Sequence, residues 1–129
     1  MINYTLFLAV YFMLDALHDK FVIEGRGAVT VKWKEKAWHI VDAIIKCFVG
    51  VVVYHYMIGV TTYIELGLVI GFIGFFRAWW FNSWINIFRG IKNIFHLGNT
   101  PPEGWFKKCE WLYFLICFSL SILLYLILN

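Results

Sequence analysis

From Trp111 to Leu128 the chain carries no charged side chain. A helix that crosses the hydrocarbon core of a bilayer needs about 20 predominantly apolar residues, with a range of roughly 17–25. This run is long enough to span, and three earlier stretches approach the same length: Ile2 to about Leu17, Trp38 to about Val60, and Tyr63 to about Ile87. The composition agrees. Of 129 residues, 62% are hydrophobic and 15% charged, against roughly 45–50% and about 25% in soluble domains. A water-soluble globule is disfavoured, and disorder is excluded because so apolar a chain has ample surface to bury. The expected fold is all-α: a single transmembrane domain over residues 1–129, a bundle of four membrane-spanning helices near 2–17, 38–60, 63–87 and 111–128.

The connections set the orientation. Lys20, Arg26, Lys32, Lys34 and Lys36 lie between the first two runs, and Arg89, Lys92, Lys107 and Lys108 between the last two. The turn at Thr61 and Thr62 holds no basic residue. Basic loops stay in the cytoplasm, so both connections are expected there and both termini outside. No Lys or Arg precedes the first run and no A-x-A site follows it, which argues for a retained helix over a removable signal. The net charge of +3 is too small to suggest a nucleic-acid partner. Cys47, Cys109 and Cys117 form no CxxC pair, so neither a disulfide framework nor a structural zinc site is indicated.

Within the first connection, Gly25 to Trp33 alternates apolar and polar residues after two glycines, as a short strand or an extended surface segment does. Within the second, Ile85 to Phe95 segregates its polar positions at helical spacing. An amphipathic segment lying in the membrane interface is expected there, before the last span. Gly98 to Gly104, with Pro101 and Pro102, should break it, and Trp105, Phe106, Lys107 and Lys108 should anchor the start of the last helix.

Ionisable groups inside spans are costly and by default face the bundle interior or a wet cavity. Tyr11, Asp15 and His18, with Asp19 beside them, share one helical face. His39, Asp42 and Lys46 share a second, and Asn82, Asn86, Arg89 and Asn93 a third. With a rise of about 1.5 Å per residue, Asp15 and Asp42 each lie about 6 Å inside the basic end of their spans. The three stripes are expected to meet in one polar pocket near the cytoplasmic leaflet.

Such a pocket has three chemical readings. Asp15, His18, His39 and Asp42, with Asp19, are a donor mixture suited to a transition-metal ion. A metal there could activate water against a lipid or phosphate ester while Arg89 holds an anionic headgroup. Alternatively the same groups neutralise one another as structural pairs, or relay protons and ions. Against conduction, Val49 to Val53 and Leu66 to Phe76 carry no ionisable residue between the pocket and the distant His55 and Glu65. Haem on His18 and His39 would have unusual company in the carboxylates. Arg77, deep in the third run, has cation–π contact with Trp80, Phe81 or Trp84 as its structural reading, and a charge pair with Asp42 or Asp15 as its functional one. Gly67, Gly71 and Gly74 allow close helix approach, within the subunit or between subunits.

The combination Asp15-Ala16-Leu17-His18-Asp19, Trp38-His39, Phe81-Asn82-x-x-x-Asn86-x-x-Arg89-Gly90 and Leu97-Gly98-Asn99-Thr100 resembles small four-helix membrane proteins of Bacteroidota and their phages. The resemblance implies a bacterial inner membrane, or a phage-derived protein within one, and brings no activity. The short signatures of small multidrug transporters and fluoride channels are absent, as is the spaced Asp and Gly pattern of CDP-alcohol phosphotransferases. The expected function is that of a subunit or accessory of an oligomeric membrane assembly, pore formation included, with the lipid bilayer and copies of itself or a larger complex as partners. No cofactor is certain. A metal-dependent membrane enzyme acting at the polar cluster is the alternative.

Overall fold

A computed structural model describes the backbone of residues 1–25, 32–60, 62–97 and 106–129, and the side chains of all of these except 22–25 and 32–40. Among the described residues the chain is all-α. Its four helices are α1 (Ile2–Gly25), α2 (Lys32–Met57), α3 (Tyr63–Phe88) and α4 (Glu110–Leu128). Of these, α3 and α4 are long and apolar enough to cross a membrane.

The helices outrun the apolar stretches that announce them. α1 continues past Leu17 to Gly25, and α2 starts at Lys32 rather than near Trp38. Apolarity marks how much of a helix can be buried, whereas its length is set by where breakers fall. His18-Asp19-Lys20 contains none, and Lys32-Trp33-Lys34-Glu35-Lys36 is rich in Lys and Glu, which favour helix. Lys32 and Trp33 therefore open α2 instead of ending an extended segment; residues 26–31, where the rest of that alternation falls, lie outside the described residues.

The turn between α2 and α3 is closed by local chemistry. Gly59 adopts φ +94°, a left-handed conformation that glycine enters without steric cost, and its N–H reaches back to the Tyr54 carbonyl at 3.3 Å. Thr62 then caps α3, its hydroxyl accepting the Glu65 N–H at 3.1 Å. At the other end, α3 stops at Phe88. Gly90 takes φ +66°, and the N–H groups of Ile91 and Gly90 bond the carbonyls of Asn86 at 2.9 Å and Ile87 at 3.0 Å. This 6→1 and 5→2 pair is a Schellman termination. The expected interfacial helix through Phe95 therefore does not form: residues 89–97 are irregular. Its polar groups are met by side chains instead. Asn86 Nδ2 donates to the carbonyls of Ile94 (3.0 Å) and His96 (2.7 Å), and Glu110 accepts from the Leu97 N–H and from Asn93 Nδ2.

The helices run alternately up and down, so that Met1, Met57, Ile58 and Asn129 border one depression at a shared end. α3 is the central element and touches each of the others, whereas among the described residues the backbone of α4 runs close to that of α3 alone. On α1, Tyr4, Leu8, Phe12 and Ala16 recur every fourth residue and are wholly or almost wholly buried. Tyr4, Leu8 and Phe12 cluster with Val69, Phe72, Ile73 and Phe76 of α3 and Tyr54 of α2. A smaller cluster of Leu97, Tyr113, Phe114 and Cys117 packs with Phe75, Ala78 and Trp79 and fastens α4. Indole N–H groups tie the layers: Trp80 donates to the Ala9 carbonyl at 2.8 Å and Trp79 to Ser121 Oγ at 3.0 Å. The outward positions Leu6, Val10, Leu14, Ile44, Ile45, Phe48, Leu115, Ile122 and Leu126 are apolar and exposed. With the backbone of α4 close to that of one other described helix, the assembly is more open than a compact four-helix bundle.

Of the three glycines expected to serve close packing, Gly71 alone has a neighbour where a Cβ would sit, Leu124 at 3.3 Å; Gly67 and Gly74 have nothing within 4 Å. The tightest approach is at Gly50 of α2, where a Cβ would meet Ile73 Cδ1 at 2.8 Å, and where the Gly50 carbonyl accepts the Tyr4 hydroxyl at 3.0 Å. Replacing Gly50 with Leu should therefore push α2 off α3 and cost about 1–3 kcal/mol, the usual range for overpacking. Gly67→Ala and Gly74→Ala, in open positions, should be neutral or stabilising by up to about 1 kcal/mol. Reversible unfolding in mixed micelles measures all three; equal losses at Gly50 and Gly67 would contradict the packing.

Candidate functional site

Three helices deliver charge to one buried point. Asp42 and Lys46 are one turn apart on α2 and hydrogen-bonded to each other, the spacing at which side chains on a helix meet. Asp15 of α1 lies just beyond the buried stripe, next to Ala16, and pairs directly with the same Lys46 ammonium. Arg77 follows the core residue Phe76 on α3 and brings its Nη2 to 3.7 Å from Asp42 Oδ2 and 3.9 Å from Asp15 Oδ2. Lys46 and Asp15 keep 8% of their side-chain surface, Asp42 16% and Arg77 26%. Phe81, one turn on from Arg77, lies under both cations: the guanidinium carbon is 4.6 Å and Lys46 Nζ 5.9 Å from its ring centre.

Within the tetrad the charges balance. Two carboxylates and two cations sum to zero. Lys46 Nζ stands between the carboxylates, in the position a metal ion would need. Removing a charge from water costs several kcal/mol, recovered only through close opposite charges and hydrogen bonds. That constraint makes the four residues interdependent. Arg77 takes both roles considered for it, with its ring contact to Phe81 and its charge pairing to both aspartates.

The other sequence candidates separate into distinct environments. His18 is largely exposed, with Nδ1 3.6 Å from Asp19 Oδ1. His39 lies in α2 one turn before Asp42, and its side chain falls outside the described residues. Two of the asparagines expected to join the cluster, Asn86 and Asn93, turn to other partners. Asn82 Nδ2 donates to the Ala78 carbonyl of its own helix at 2.7 Å. Asn86 is buried but turned to the 94–96 segment, Arg89 is the exposed cap of α3, and Asn93 binds Glu110. Helical spacing placed these residues on one face without saying which neighbour that face meets. Among the described residues no three His, Cys, Asp or Glu side chains are placed to share a metal ion.

A second polar hub escaped the sequence reading. Glu110, at the start of α4, accepts from the Leu97 N–H at 3.2 Å and from Asn93 Nδ2 at 3.0 Å. It also lies 3.4 Å from His96 Nδ1 and 3.5 Å from Lys107 Nζ. Lys107 in turn donates to the Leu97 carbonyl at 2.8 Å. The hub pins residues 93–97 to α4. Near the opposite end of the helices, Tyr54 donates to Glu65 at 3.2 Å. Between that pair and the tetrad lie the buried Val69, Phe72, Ile73 and Phe76, so the described residues of one chain provide no continuous polar track. No protein-family model matches the chain, and no curated protein or solved structure matches it either.

Lys46→Met should leave two buried carboxylates facing Arg77 alone and cost about 3–5 kcal/mol, the range for breaking a buried ion pair from one side. Adding Asp42→Asn restores neutrality and should recover most of that loss. Unfolding in mixed micelles checks both; a single variant within about 0.5 kcal/mol of the parent, the range of surface substitutions, would contradict the interdependence.

Proposed function

We propose that the chain is a four-span membrane protein that acts as a subunit or accessory of an oligomeric membrane assembly, seated in a bacterial inner membrane with both termini outside. α3 and α4 have the length and apolarity for spanning. Leu6, Val10 and Leu14 of α1 and Ile44, Ile45 and Phe48 of α2 also turn apolar side chains outward. The exposed basic residues Arg89, Lys92, Lys107 and Lys108 lie at the end opposite the termini, as cytoplasmic loops would.

The observation that carries the assembly role is the uncovered face of α3. The central helix leaves Tyr63, Gly67, Ile70 and Gly74 exposed at spacings of four, three and four, with open space at both glycines. Without side chains there, another backbone can approach closely, the geometry by which helices associate in lipid. In this role the tetrad is a structural tie that holds α1, α2 and α3 in register. A metal-dependent enzyme is supported less well, because Lys46 occupies the space between the two carboxylates. Pore formation would have to arise between subunits.

Gentle extraction from native membranes followed by native mass analysis tests the proposal. The chain should emerge in a complex larger than a monomer. Gly67→Leu with Gly74→Leu should lower the assembled fraction about tenfold, the equivalent of about 1.4 kcal/mol, while leaving the monomer folded. A purely monomeric extract, or one transition metal held tightly per chain, would contradict it.

A further inference from the structure

The tetrad leaves two buried polar atoms without a hydrogen-bond partner among the described residues: Asp15 Oδ2 and Arg77 Nε. They are chemically complementary, the first an acceptor and the second a donor. Asp15 spends its other oxygen on Lys46, and the side chain is more than nine-tenths buried. The nearest approach recorded between the two groups, Arg77 Nη2 to Asp15 Oδ2, is 3.9 Å, and Nη2 to Asp42 Oδ2 is 3.7 Å. Both are too long for a direct hydrogen bond. A polar gap wider than about 3.5 Å, lined by a donor and an acceptor, is the setting in which a bridging molecule is held.

We infer that the space between Asp15 Oδ2 and Arg77 Nε is a binding site for one small protic molecule, water, which accepts from the guanidinium and donates to the carboxylate. Asp15 Oδ2 and Arg77 Nε supply two of the two to four polar partners that a buried water requires, and Asp42 Oδ2 lies 3.7 Å from the Nη2 of the same guanidinium. An apolar occupant would leave both atoms unsatisfied, and an ion of either sign would upset a set whose charges already cancel. Asp19 lies one turn beyond Asp15 on the same face of α1, with 19% of its side chain accessible, whereas the way to the termini is closed by Phe12, Ile73 and Phe76. The site is thus bounded by apolar side chains toward the termini, and it stands whether or not the chain assembles with others.

Three side-chain N–H groups at this depth allow an internally controlled test. Arg77 Nε faces the site, whereas Trp79 Nε1 and Trp80 Nε1 are bonded to Ser121 and to the Ala9 carbonyl. In ¹⁵N-labelled protein in lipid bilayers, water-edited solid-state NMR reads how fast polarisation passes from water to each nitrogen. Arg77 Nε should build up roughly threefold faster than either indole, or more, as a group bonded to water would, and should approach the exposed Arg89. Build-up no faster than that of the two indoles would show the gap to be dry and overturn the inference.

Discussion

A lysine ammonium held between two aspartates is the interaction on which the rest of this structure depends. Lys46 contacts Asp15 and Asp42 together, with Arg77 completing a neutral set. No member can be withdrawn from water unless the others are in place. The energetic value of such a set relative to an apolar core is small, but its geometric demand is strict. α1, α2 and α3 can slide past one another only by breaking it. The tetrad therefore sets the register in which Tyr4 reaches the Gly50 carbonyl, Gly50 receives Ile73, and Phe12 packs beside Phe76.

Around that point the fold is organised by α3. Its two ends are defined sharply, by Thr62 at the start and by the Gly90 termination at the finish. One side meets α1 and α2, another receives α4, and a third is left uncovered. α4 depends on α3 for its packing and on Glu110 for its attachment to the loop. Two separate polar devices thus serve two separate tasks: the tetrad fixes the first three helices, and the Asn86 and Glu110 contacts fix the loop and the last one.

Much of this was legible in the residues. Apolar runs located all four helices, and the spacing of Asp42 and Lys46, with Asp15 at a similar depth, anticipated a shared charged site. Periodicity has a specific blindness, however. It identifies a face but not its rotation toward a neighbour, so spacing puts Asn86 with Asp15 although its amide turns to the carbonyls of Ile94 and His96. The same limit left Arg77 with two readings that the structure unites. The segment from Ile85 to Phe95 kept helical periodicity beyond the helix, because a single residue, Gly90 at positive φ, ends what the pattern continues. Gly50 gave no signal, since an isolated glycine in an apolar run reveals a close approach only once its neighbour is known.

The central claim is that one ammonium bridges two carboxylates from different helices. Dipolar dephasing between ¹⁵Nζ of Lys46 and ¹³Cγ of Asp15 and of Asp42, in protein reconstituted into bilayers, measures it most directly. Strong dephasing of both carboxyl carbons, as expected for direct contact, is the result this account predicts. Dephasing of Asp42 alone would reduce the bridge to a pair within α2, leave α1 unattached, and contradict it.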